Sequence, residues 1–142
     1  MTGPHPSAGT FAALRLLPGT DLIGGLRAAR ADLDTPAVAI AACVGSVSDP
    51  HLRFAGRDEG TRLTGPFEIV ALSGTLDPDR HHIHLAVSEA GGRVVGGHLL
   101  PGTPVRTTAE IVLLVLTDLA FARAPCPLSG YDELTIGPRS AR

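Results

Sequence analysis

A chain of 142 residues is one domain of ordinary size, and with 44% apolar but only 4% aromatic content its core must be small and aliphatic. The net charge is −2 with histidine neutral and all twelve cations are arginine, which excludes a Schiff-base or P-loop lysine and argues against a strongly basic nucleic-acid surface. Cys43 and Cys126 stand alone, so no zinc knuckle or dithiol motif is present.

The aliphatic surplus over what one small domain buries favours oligomerisation. No basic segment followed by an apolar run opens the sequence, and the longest uncharged stretch, near residues 35–48, is too short to span a bilayer. A soluble, cytoplasmic protein with no membrane partner is expected.

Residues 1–10 have the composition of a flexible tail, with His5 solvated. A first strand is expected over 11–17. Pro18-Gly19-Thr20 turns the chain, and Thr20 can cap a helix over 21–33 whose apolar face is Leu22, Ile23, Leu26, Ala29 and Leu33. Gly24 and Gly25 each cost about 1 kcal/mol against alanine in a helix, so they mark close packing on a sheet. The helix N-terminus could take a phosphate, but a packing helix is the plainer reading. AVAIAACVGSVS, residues 37–48, is apolar on both faces and reads as a buried strand, with Cys43 a small buried hydrophobe. HLRFA resumes extended structure, with His51 and Arg53 on one face and Leu52 and Phe54 on the other. GRDEGTRLTG is a charged loop, and PFEIVALSGTL a strand with Glu68 near its start.

Asp77-Pro78-Asp79 leads into HHIHLAVSEAGGRVVGGHLL, residues 81–100, which holds four of the six histidines. Read as a hairpin, its first arm puts His82, His84, Ala86 and Ser88 on one face, and its second puts Val94, Gly96 and His98 there. Opposite residues of an antiparallel pair share a face, so the pattern fixes the parity of the register. Pairing Val87 with Val95 and Glu89 with Arg93, around an Ala90-Gly91-Gly92 turn, sets His84 opposite His98 with His82 two residues along. Three neutral nitrogen ligands then converge, suiting zinc first and iron, nickel, copper or cobalt after it, with a coordination position left open. On spacing alone the alternative, a row of exposed or hydrogen-bonded histidines, stays open.

PVRTTAEIVLLVLTDL follows as a strand, with Arg106, Thr108 and Glu110 on one face before it turns apolar on both sides from Ile111. Such a strand in a small domain suits a subunit interface. Beyond Arg123 the chain is Pro-rich, with Cys126 an exposed thiol between two prolines, until a last strand at YDELTI. The reading is a single domain over 11–137 between flexible tails at 1–10 and 138–142, with no internal repeat.

The strings GPFEIVALSGTL, HIHLAVSEAGGRVVGGHLLPG, VRTTAEIVLLVL and SGYDEL, in that order over residues 14–134, resemble the plants-and-prokaryotes-conserved (PPC) domain of the prokaryotic, stand-alone type. The resemblance implies an α/β (α+β) fold with a strongly bent, mostly antiparallel sheet and one main helix near the N-terminus. It also implies a homotrimer and, in prokaryotic members, a metal held by three histidines, which here match His82, His84 and His98.

A three-histidine metal with an open position can activate water or polarise a carbonyl, given a nearby carboxylate or arginine. Glu68, Glu110, Arg53 and Arg106 are the catalytic candidates if the protein is an enzyme, because each lies on an expected strand. Their plainer role is a salt-bridged or interface charge. Ser46 and Ser73 sit in no nucleophile elbow, and no Gly-rich nucleotide fingerprint opens a helix. Two functions follow. The resemblance implies a homotrimeric regulatory module of a kind called DNA-binding, acting through a protein partner or a ligand at the metal. Direct duplex binding is doubtful, since the chain has no Arg-Gly-Arg-Pro hook and no basic run. The alternative is a small metal-dependent lyase or hydrolase acting on a carbonyl or carboxylate, by fold analogy with acetolactate decarboxylase.

Overall fold

The computed structural model describes residues 3–140, in which one helix and ten strands occur. Eight strands form one curved, open sheet: β1 (Gly9–Leu16), β2 (Val38–Ser48), β3 (His51–Arg53), β4 (Thr61–Arg62), β5 (Pro66–Leu76), β6 (His81–Ser88), β7 (Val94–Leu99) and β8 (Val105–Leu116). Their order is β1-β8-β2-β5-β6-β7-β3-β4, and every neighbouring pair is antiparallel. β9 (Leu119–Pro125) and β10 (Asp132–Pro138) form a separate hairpin. No described helix is long and apolar enough to cross a membrane.

The inner face of the sheet is the core. Val38, Leu52, Leu76, Ile83, Leu85 and Leu113 are wholly or almost wholly buried there. The helix α1 (Leu22–Ala31) closes that face with Leu22, Ile23 and Leu26. Burying three such side chains at roughly 2 kcal/mol each outweighs the two glycines, so packing rather than propensity holds this helix. Gly25 is needed for the fit: a Cβ there would lie 2.7 Å from the Leu16 methyls. The cap is Asp21 rather than Thr20. One carboxylate oxygen accepts from Gly24 N at 2.9 Å, while the other accepts from Gly102 N and Thr103 N, tying the helix to the segment leading into β8. A hydroxyl could not bridge both.

Several expected boundaries move. Strand β1 begins at Gly9, and Ala8 N donates to Asp118 Oδ2, so residues 8–10 are fixed in the fold. Met1, Thr2, Ala141 and Arg142, which belong to the expected tails, lie outside the described residues. Within the charged loop, Thr61–Arg62 pair with β3 as a short edge strand. On β8 the side chains alternate: Ile111, Leu113 and Val115 are buried, while Val112 and Leu114 are only partly covered. The apolar run ends at a tight turn through Thr117 and Asp118, and the chain doubles back as β9.

The β9–β10 hairpin docks through an apolar cluster and through ion pairs. Leu119 and Phe121 pack with Ala37, Leu134 and Ile136 in a small second cluster. Arg123 enters a buried ion pair with Asp77 at 3.2 Å, the two side chains 7% and 3% exposed, and its Nη2 donates to Thr75 Oγ1 at 3.0 Å. Removing one partner of such a pair costs about 3–5 kcal/mol, because the other charge is stranded. The hairpin is therefore locked beside the start of β6.

Candidate metal centre

The register of β6 against β7 is the one the hydrophobic parity requires: His84 lies opposite His98, and Val87 opposite Val95. Glu89 N bonds Arg93 O at 3.1 Å, Gly92 takes the left-handed conformation at φ 80°, and Arg93 clamps the Glu89 carboxylate with two nitrogens. From the other side β5 sets Thr75 opposite His82 and Ser73 opposite His84. Gly74 lies between them, where a Cβ would sit 2.1 Å from the His82 carbonyl oxygen; only glycine lets β5 come this close to β6.

Three imidazoles meet on the outward face. Ring centroids lie 5.0 Å apart for His82 and His84, 5.2 Å for His82 and His98, and 5.7 Å for His84 and His98. One nitrogen from each falls within 4.8 Å of the others, and the Nε2 atoms of His82 and His84 are 3.2 Å apart. Two nitrogens on one tetrahedral zinc at 2.0–2.1 Å would be about 3.3 Å apart, so these rings fit the ion with small rotations. The electrostatics agree. Burial, then the Arg53 and neighbouring imidazole charges, push His98 down to about 4, and burial with His84 and Arg123 lowers His82. At neutral pH both rings offer the lone pairs that a metal needs. The other histidines are not in the cluster: His81 alternates to the opposite side of β6 while bordering one of the flanking cavities, His51 Nδ1 is bonded to Pro101 O, and His5 is exposed.

Arg53 is the strand charge that the fold brings to this cluster. It pairs with His98 across β3 and β7 and lines both cavities flanking the imidazoles. Glu68 shares the outward face but stands opposite Ser88, four residues along the strand from His84 and roughly 13 Å away. Glu110 and Arg106 are exposed on β8, three strands from β6. The sequence reading missed the second wall of the site. Tyr131, Glu133 and Arg123, with Arg80 bonded to Asp132, close a cavity of about 320 Å³ over His82 and His98. On the other side a space of about 540 Å³, over Phe54, Ala71, Ala86 and Gly97, is largely apolar.

Neither cysteine joins the site. Cys43 is buried, which raises its thiol to about 11. Cys126 is half-buried rather than exposed, and the Ser129 and Leu128 backbones hold its thiol below the ordinary range.

Known proteins resemble this chain in several degrees. The chain is 47% identical over 123 residues to the bifunctional protein GlmU of Synechococcus sp. (strain JA-3-3Ab), which is 87% of this chain and 20% of that protein; it thus spans about a fifth of the length of the curated relatives it matches. A hypothetical protein from Salmonella enterica superposes with a TM-score of 0.93 at 47% identity, over 96% of this chain and 99% of that one. A metal-containing protein from Archaeoglobus fulgidus superposes with a TM-score of 0.81 at 25% identity, over 95% and 99%. The fold alone is shared with a candidate DNA-binding protein from Bacteroides thetaiotaomicron, at 17% identity, a TM-score of 0.74 and coverage of 91% and 96%. Residues 4–117 match the Plants and Prokaryotes Conserved (PCC) domain, so this chain belongs to that family.

Proposed function

We propose that the protein is a homotrimeric, zinc-type metal-binding module of the cytoplasm, with His82, His84 and His98 as ligands and a protein partner or small ligand acting at the metal. The observation that carries this reading is the convergence of three imidazole nitrogens within 4.8 Å. Zinc bound there would supply a Lewis acid and a site for one exchangeable oxygen ligand. Purified protein is expected to hold about one divalent ion per chain, and His84→Ala to lose it while His5→Ala keeps it. Stoichiometric uptake after removal of all three histidines would place the metal elsewhere.

Trimer formation is supported by the outward apolar residues Phe11, Val44 and Val70, which are 71%, 60% and 54% exposed in the single chain. Sedimentation should give a species near three chains. Direct duplex binding is weak and non-specific in this reading. The arginines form no run, and Arg62 already spends its guanidinium on the carbonyls of Asp49 and Gly102. Titration of labelled duplex at physiological salt should give no sub-micromolar binding; such binding, lost in Arg57→Ala, would make the trimer a direct DNA binder.

A second reading, a metal-dependent lyase or hydrolase, has its own support in the two cavities that open directly onto the triad. In it Arg53 holds the substrate, and Glu133 is the carboxylate near enough to move a proton.

A further inference from the structure

We propose that the space around the triad is a binding site for a small aliphatic carboxylate, gripped by Arg53 while an oxygen of the ligand meets the metal. The proposal rests on the metal reading above and names the class of ligand for that site. Its starting point is the partnering of charges on the cavity walls. Arg80 is bonded to Asp132, and Arg123 to Asp77 and Thr75. Arg53, half-buried, has no hydrogen-bonding or ionic partner among the described residues, although it stands directly across from His98 and borders both cavities. An unpaired guanidinium in a partly desolvated cleft is a fork for a planar anion, and the carboxylate is the anion whose geometry matches two of its N–H groups.

The rest of the cleft restricts what that anion carries. On one side Phe54, Ala55, Ala71, Ala86 and the backbone of Gly96 and Gly97 leave an uncharged recess suited to a short hydrocarbon tail. The glycines are held small by the fold: a Cβ on Gly97 would lie 2.7 Å from the Arg53 carbonyl oxygen, and one on Gly96 3.2 Å from the Ala86 Cβ. Opposite, Glu133 lines the cavity without a hydrogen-bonding or ion-pair partner among the described residues, and it disfavours a dianion or phosphate reaching that wall. A monocarboxylate with a neighbouring oxygen, such as a 2-hydroxy or 2-keto acid of three to five carbons, satisfies all of these features together.

The test uses the intact chain, zinc-loaded and with zinc content measured, titrated calorimetrically with L-lactate and with lactamide, which lacks the negative charge. Lactate should bind and lactamide about tenfold or more weaker, as loss of a charge-assisted pair implies. Arg53→Gln should weaken lactate by about tenfold at unchanged zinc content and circular dichroism, and Arg53→Lys should recover part of the loss. Lactate binding no tighter than lactamide, or equal in Arg53→Gln and the parent with zinc in place, overturns the proposal. Failure of the parent to hold zinc overturns the metal reading first, and the proposal with it.

Discussion

The outward face of the large sheet divides into two surfaces on one continuous backbone. On β1, β8 and β2 its side chains include Phe11, Val112, Leu114 and Val44, with Arg15, Glu110 and Arg106 further along; on β6, β7 and β3 they include His82, His84, His98 and Arg53. Neither set holds the single chain together, since the core lies on the inner face. The difference shows that a sheet stabilised from one side leaves the other side free for function. Here one half carries exposed apolar side chains, and the other a cluster of imidazoles beside a guanidinium.

The largest expected effect separates inner from outer positions one residue apart. Leu113→Asp buries an unpaired charge and should cost more than about 4 kcal/mol, enough to unfold the chain. Leu114→Asp should keep the circular dichroism of the parent and lose the trimer in sedimentation; loss of folding in both would erase the distinction between the faces. Next in size is the metal. Zinc at a thousandfold excess over its dissociation constant should stabilise the parent by about 4 kcal/mol in thermal denaturation and leave His84→Ala unmoved. Smaller again is Gly74→Ala, expected to cost about 2 kcal/mol and to weaken zinc uptake by displacing His82, whereas Gly137→Ala, with open space around it, should do neither.

The smallest effect is a pH dependence of the metal-free protein. An unfolded His98 takes its proton near the ordinary value of 6.5, while the folded ring, held down by burial and Arg53, resists until about 4. Over that window the unfolded chain binds more protons, so stability is highest above 6.5 and falls as pH drops towards 4. Denaturant titrations across the window should show the decline, and Arg53→Gln should make it shallower.

The histidine hairpin was legible because parity admits no compromise: a slip of one residue would turn Ile83, Leu85 and Val87 out of the core. The N-terminal helix was legible from its apolar face and the strand at 66–76 from its composition. The cap was misplaced by one residue: both Thr20 and Asp21 can cap, and the bonds that Asp21 also accepts from Gly102 and Thr103, some eighty residues away, are not visible in the local sequence. The β8–β9 turn escaped notice because Thr117-Asp118 interrupts an apolar run with neither glycine nor proline. Glu68, Glu110 and Arg106 were chosen for lying on strands; strand order, which sequence does not fix, sets Glu110 and Arg106 far from the triad, and the β5–β6 register sets Glu68 four residues along from His84. Glu133 carried no local signal at all; its place depends on the Arg123–Asp77 pair.

That ion pair bears on what can be altered independently of the imidazoles. The match to the PCC domain ends at residue 117, and it contains all three imidazoles and Arg53. Arg123, Tyr131 and Glu133 come after it, on a two-stranded hairpin held to the rest of the domain by the Arg123–Asp77 and Arg80–Asp132 ion pairs and one small apolar cluster. Substitutions on this hairpin therefore alter the shape and charge of what approaches the imidazoles while the donor atoms stay where they are.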